Sequence, residues 1–369
     1  MVMWLVKDLA MKKRWVESVT ILSRKLCISF FVSFLIGCSS SSHYDLWAGD
    51  KPKHHTENCF RNYPLIEQAD TQGFKFIWNR IFSSSKSDKI PSDHIIDEKR
   101  AIDQLKKLEK EDTITWIGQS TALIKIDGKV ILTDPFFSKR AGPGIFGARR
   151  SVPPGITSKN LPTVNIIVIS HNHYDHLDVD FVESLPNKKD IEVIVPLGVG
   201  EFFRDKGYVK IHELDWHHTV TVEGLKFNSH PMVHYSSRGL FDKNETLWCS
   251  WSILSSNKKL FFAGDTAFSP TIFKEIGAEI GGFDYALLPI GTYGNRKYGF
   301  NNHMNPMESF QAGLDLKAQT MIAIHWGTID LSEEPLVEPA ELFKKVALEK
   351  EFDPKRLWIF NIGETRILD

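Results

Sequence analysis

Six consecutive residues, His171-Asn-His173-Tyr-Asp175-His176, place four potential metal ligands directly after an apolar run from Val164 to Ser170. His171 and His173 are one residue apart, so in extended chain both imidazoles project to the same side and can grip one divalent cation. Asp175 and His176 follow once the chain turns and face a neighbouring position. That allows a second metal roughly 4 Å away, the spacing of two-metal hydrolases. A lone histidine is ordinarily a satisfied core or surface residue, but few structural needs call for three imidazoles and a carboxylate packed this tightly. Ten of the fourteen histidines lie between His171 and His325. A complete site needs further ligands at strand ends. Asp265 follows the apolar Phe261-Phe-Ala-Gly and could bridge two cations with its two oxygens, and His325 follows Met321-Ile-Ala-Ile. His230 and His234 compete for the third imidazole of the first metal. Asp134, before Pro135, is either a turn acid or a carboxylate that orients a ligand histidine.

The elements that must carry these residues are short. From Thr113 onward, β-rich runs are separated by turn signals. Strands are predicted over Thr113–Trp116, Ala122–Ile126, Val130–Thr133, Val164–Ser170, Ile191–Pro196, Leu225–Asn228, Trp248–Leu254, Leu260–Ala263, Tyr285–Pro289, Met321–His325 and Leu357–Ile362. Helical patterns fall at Asp97–Asp112, Val179–Leu185, Gly198–Lys206, Pro270–Glu275, Pro306–Leu314 and Pro339–Lys350. Alternation without a regular βαβ rhythm indicates an α/β domain of mixed sheets flanked by helices, spanning residues 112–369.

The N-terminus is of another kind. Lys12, Lys13, Arg14, Arg24 and Lys25 precede an apolar run, Leu26 to Gly37, too short to span a bilayer comfortably and typical of a signal-peptide core. It ends in Leu35-Ile-Gly-Cys38, which resembles the lipobox of bacterial lipoproteins and makes Cys38 the expected lipid attachment point. Residues 1–37 then read as signal peptide, with Met11 as the natural start, and 38–111 as a tether and N-terminal extension. An uncleaved anchor is the competing reading. The expected address is the bacterial cell envelope, on the outer membrane facing the periplasm. Within the extension, Gly73-Phe-Lys-Phe-Ile-Trp-Asn-Arg-Ile-Phe82 could lie at a lipid interface or cover the core. Residues 1–37 hold six basic and two acidic side chains, so their removal leaves 39 basic against 44 acidic. With no basic stripe, a nucleic-acid partner is disfavoured. Cys59 and Cys249 could pair in an oxidising compartment. No Cys-x-x-Cys, Gly-x-Ser-x-Gly or Walker loop occurs, which argues against a thiolate zinc site, a serine hydrolase or nucleotide turnover.

Taken together, His171-x-His173-x-Asp175-His176, Asp265 and His325 resemble the metallo-β-lactamase superfamily. Leu132-Thr-Asp-Pro-Phe-Phe-Ser138, Leu247-Trp-Cys-Ser-Trp-Ser252 and Ile324-His-Trp-Gly327 are similar to the N-acylphosphatidylethanolamine-hydrolysing phospholipase D branch. The resemblance runs from about Thr113 to Asp369. It implies an αβ/βα four-layer sandwich with two Zn²⁺, although iron or manganese would suit the same ligands. It assigns His171, His173 and His234 to one ion, Asp175, His176 and His325 to the other, and Asp265 as a bridge that also orients water. His303 falls where the family has an active-site histidine near the phosphate. The implied reaction is cleavage of N-acylphosphatidylethanolamine, in a membrane surface, to phosphatidic acid and N-acylethanolamine. The alternatives are hydrolysis of a lactone, amide or sugar phosphate, or a non-catalytic envelope lipoprotein. One departure stands out, because Gln119 occupies a position where family members commonly carry histidine. The stretch between Gly291 and His303 is only loosely similar.

Overall fold

A computed structural model describes residues 51–65, 90–144, 147–239, 241–299, 301–332 and 334–369. The signal segment, Cys38 and the Gly73–Phe82 stretch lie outside the described residues.

The first sheet takes its early strands from the most apolar runs: β1 (Thr113–Gly118), β2 (Thr121–Ile126) and β3 (Lys129–Thr133). A short hairpin, β4 (Arg140–Ala141) and β5 (Ala148–Arg149), stands apart from it. The sheet continues with β6 (Ile166–Val168), β7 (Glu192–Pro196) and β8 (Lys210–Leu214). The second sheet is built from β9 (Thr219–Val222), β10 (Leu225–His230), β11 (Ser250–Leu254), β12 (Lys259–Phe262), β13 (Phe283–Pro289), β14 (Ala318–Ile324) and β15 (Leu357–Trp358), and β16 (Thr365–Ile367) returns to the first. Strand order is β16-β1-β2-β3-β6-β7-β8 in one sheet and β15-β14-β13-β12-β11-β10-β9 in the other. Each sheet is antiparallel at one end and parallel from β3 to β8 or from β12 to β15.

Side-chain alternation along the strands builds the layers. Ile166 and Val168 point into the cluster between the sheets. Ile167 and Ile169 point the other way, into a second cluster with Leu132, Val193 and residues of three helices. Strands buried on both faces read as continuous apolar runs, as these do. The helices facing that second cluster are α1 (Glu98–Lys107), α2 (Val179–Ser184) and α3 (Glu201–Arg204), through Ala101, Phe181 and Phe203. α4 (Pro270–Ile280), α5 (Pro306–Asp315) and α6 (Glu338–Glu349) cover the second sheet through Phe273, Phe310 and Phe343. Each fully buried large side chain contributes about 1.5–3 kcal/mol. The result is the expected αβ/βα four-layer sandwich.

The differences from expectation are local. β8, β9 and β16 were not anticipated: they are short and partly exposed, with charged or polar residues that blur the apolar pattern. The strand expected over Leu357–Ile362 stops at Trp358, and the helix expected over Gly198–Lys206 is α-helical only from Glu201 to Arg204. Cys249 is free and buried, so it is not paired with Cys59.

Candidate metal centre

The chain delivers its chemistry beyond the strand ends on one edge of the sandwich. β6 ends at Val168, and the chain passes through Ile169 and Ser170 into His171, His173, Asp175 and His176. Asp265 follows β12 and His325 follows β14, both from the second sheet. Gly264 makes the turn before Asp265 possible. Its φ is +62°, and a Cβ there would sit 2.5 Å from Ser170 Cβ, so no other residue fits without displacement.

Two groups of ligand-type atoms result. His171 Nε2 lies 2.8 Å from His173 Nδ1, and His234 Nε2 lies 3.2 Å from the same atom. Beside them, Asp265 Oδ2 is 3.0 Å from both His176 Nε2 and His325 Nε2. Asp175 Oδ2 is 3.4 Å and 3.3 Å from the same two nitrogens. All seven residues assigned from sequence fall in these two groups, whose ligand atoms lie within 4.8 Å of one another in each. His303 is adjacent, its Nδ1 3.7 Å from Asp265 Oδ2 and its ring stacked 5.4 Å from that of His325. His230 lies apart from these two groups, its Nε2 pairing with Ser252 Oγ at 2.5 Å, whereas His234 falls in the first of them.

In and beside the second group, several converging atoms are left without any hydrogen bond. His176 Nε2, His325 Nε2, Asp265 Oδ1 and His303 Nδ1 are buried without a hydrogen-bond partner. Orphaned buried polar atoms are costly, on the order of 1–3 kcal/mol each, and ask for an explanation. Imidazole nitrogens and carboxylate oxygens left without partners in one place fit a divalent cation. The local field agrees. Burial alone would raise the Asp265 carboxyl, but His176, His325 and His303 outweigh it and hold it well below the usual carboxylate range. Burial would lower His176, but Asp265, Asp175 and Asp134 outweigh that and hold it well above the usual histidine range.

Supporting residues fix the histidines. Asp134 Oδ2 accepts both the Nδ1–H of His176, at 2.6 Å, and the hydroxyl of Ser170, while its Oδ1 accepts from Ser170 N at 2.7 Å. Asp134 therefore fixes the ring of His176 and is no mere turn acid. The peptide oxygen of Asn302 lies 3.1 Å from His234 Nδ1, which leaves Nε2 turned toward His173. Gln119, the apparent departure, donates from Nε2 to Asp175 Oδ2 at 2.8 Å, and its carbonyl accepts from His325 N at 3.0 Å. It sits at φ +55°, and Asp134, Thr292 and His325 are also left-handed, a concentration of backbone strain typical of a functional site.

Several supports escaped the sequence reading. Arg238 donates to the carbonyls of Asn172 and Leu177 at 2.8 and 2.7 Å and stacks 3.8 Å over the Tyr174 ring, so it braces the ligand-bearing turn from outside. Arg296 hydrogen-bonds the His303 carbonyl at 2.5 Å and pairs with Glu308, whose carboxylate also closes the capping box of α5. Nothing in the local pattern announces either, because each acts on backbone atoms, which leave no mark on the partner's residue type.

Residues 129–326 match a family described as the Beta-lactamase superfamily domain. An uncharacterized protein of Mycobacterium tuberculosis is 42% identical over 234 residues, covering 62% of each chain. An N-acyl-phosphatidylethanolamine-hydrolyzing phospholipase D of Caenorhabditis elegans is 34% identical over 249 residues, covering 63% of this chain and 68% of its own. This chain therefore spans 62% of the length of the mycobacterial relative. Among solved structures, an isothiocyanate hydrolase from Delia radicum gut bacteria aligns with a TM-score of 0.56 at 21% identity, covering 69% of this chain and 98% of its own, a likeness of fold.

Proposed function

Because this chain belongs to the metallo-β-lactamase superfamily, we propose that it is a metal-dependent hydrolase that cleaves a phosphodiester, releasing N-acylethanolamine and phosphatidic acid from N-acylphosphatidylethanolamine. The observation that carries the metal-dependent part is the set of orphaned donor atoms on His176, His325 and Asp265. The lipid substrate is supported by the worm relative, at 34% identity.

In this reading His171, His173 and His234 would hold one Zn²⁺, and Asp175, His176, His325 and Asp265 would hold the other. Such a pair of ions acidifies water and neutralises charge developing on a phosphate. The chain's own residues do the rest. Asp134 and Asn302 fix the faces that His176 and His234 present. Asp265 Oδ1, free of any hydrogen bond, is placed to accept a hydrogen bond from the attacking water and so set its direction. His303 has an unpartnered Nδ1 and a side chain 16% exposed, so it can hydrogen-bond a phosphate oxygen or the departing alcohol. The Leu35-Ile-Gly-Cys38 sequence supports a lipid-tethered enzyme working at a membrane surface, with Cys38 as the anchor in the bacterial envelope.

The test is the purified full chain on N-acylphosphatidylethanolamine, phosphatidylcholine and an acyl-homoserine lactone, with and without chelator. Phosphatidic acid and N-acylethanolamine are expected from the first lipid, abolished by chelation and restored by Zn²⁺. Lactone opening with the lipids untouched would overturn the substrate.

A further inference from the structure

Residues 51–65 of the N-terminal extension lie outside the span shared with the superfamily, yet they touch the metal centre. After β10 the chain runs through Pro231 into irregular structure, so the buried main-chain N–H and C=O of His234 must find partners outside a strand ladder. Asn62 supplies both. Its Oδ1 accepts from His234 N at 3.1 Å, and its Nδ2 donates to His234 O at 2.9 Å. One carboxamide thus stands where the peptide group of an adjacent strand would. The same Oδ1 accepts from Trp248 Nε1 at 3.1 Å, so only one flip of the amide satisfies all three contacts.

What keeps Asn62 in place is a dedicated anchorage. Phe60 is buried and its N–H donates to Asn244 O at 2.9 Å, while Arg61 N donates to His54 O at 2.8 Å. His54 Nε2 and His55 Nε2 then meet the two oxygens of Asp215 at 2.6 and 2.8 Å. The His54 ring stacks 4.2 Å from Trp216, whose Nε1 donates to Trp248 O at 2.6 Å.

His54, His55 and Asp215 are themselves close enough to suggest a cation site. Their contacts argue otherwise. Each oxygen of Asp215 is already taken up by one imidazole, at 2.6 and 2.8 Å, and Oδ1 also accepts from Trp216 N at 2.8 Å. The cluster is a clamp.

We infer that Asn62 is a positioning residue for His234, and that the His54–Asp215–His55 clamp makes this segment a working part of the metal centre. The inference rests on the reading of His234 as a metal ligand. Asn302 sets the ring of His234 and Asn62 sets its backbone, so the direction of Nε2 is fixed from two sides.

The test titrates Zn²⁺ against a competing chelator using the metal-free full chain and its variants N62L, N62D, D215N and H234A. N62L is expected to weaken one of two zinc equivalents by about 10–100-fold, the usual effect of removing a support behind a ligand, and to leave the other unchanged. D215N should weaken the same equivalent. N62D keeps the oxygen that accepts from His234 N and loses the donor, so it should fall between. Wild-type affinity for both equivalents in N62L overturns the inference. Equal weakening of both, in step with the melting temperature, also overturns it, because that is what a merely structural role would do. If N62L does not fold, the isosteric N62D decides by the same outcomes. H234A binding both equivalents normally would instead sink the assignment of His234, a separate failure.

Discussion

The Nδ1–H of His176 is committed to Asp134, and that commitment decides which nitrogen faces the other ligands. An amide in place of the Asp134 carboxylate would offer fewer lone pairs to Ser170 and His176. D134N is therefore expected to weaken metal binding by about 10–100-fold, read by chelator competition. Gln119 invites a finer comparison. Its side chain reaches Asp175 and its carbonyl takes the His325 N–H, so a substitution there should act through the side chain alone. Q119A should lose about tenfold or more in metal affinity, whereas Q119H, which can still donate to Asp175, should lose little. A Q119A protein with full metal affinity would mean that the contact is incidental. From sequence, Gln119 looked like a gap in the site, because residue type was visible and the geometry that makes glutamine an adequate donor was not.

Elements place the ligands, and they do so through turns at the ends of buried strands. Gly264 joins β12 to Asp265 at φ +62° with Ser170 packed against its missing side chain. G264A should cost at least about 1–3 kcal/mol from backbone strain alone, measured as a lowered urea midpoint of the metal-free protein. A variant as stable as wild type would show that the turn tolerates a side chain. The strands that carry the centre were the legible ones: β3 and β14 are apolar runs followed at once by a polar residue, β6 reaches Ser170 after Ile169 and β12 reaches Asp265 after Ala263 and Gly264, and both the run and its end can be read. Edge strands such as β8, Lys210-Ile-His-Glu-Leu214, were not, since pairing on one side only leaves room for charged residues. The supports from Asn62, Arg238 and Arg296 were hidden for a third reason. They reach across 172, 66 and 7 residues of chain to backbone atoms, and backbone contacts leave no mark on the partner's residue type.

For the molecule as a whole, buried histidines away from the centre set a limit on acid stability. Burial pushes His230 down to about 3 from its ordinary 6.5. The unfolded chain takes up that proton near pH 6.5 and the native protein does not until about pH 3. The contribution of His230 is therefore complete above about pH 6.5 and is lost as the pH falls from there toward 3. Urea unfolding of wild type and H230Q between pH 8 and pH 4 should show the wild-type advantage shrinking with acidification, and a constant difference would contradict it. A last consequence concerns the division of the seven ligand-type residues between the two sheets: four follow β6, and three follow β10, β12 and β14. An ion held among them is a crosslink between the halves of the sandwich, so by mass action each tenfold rise in free metal above its dissociation constant should add about 1.4 kcal/mol per site to the work of unfolding. A chelator would then act on this protein as a denaturant without touching a single apolar contact.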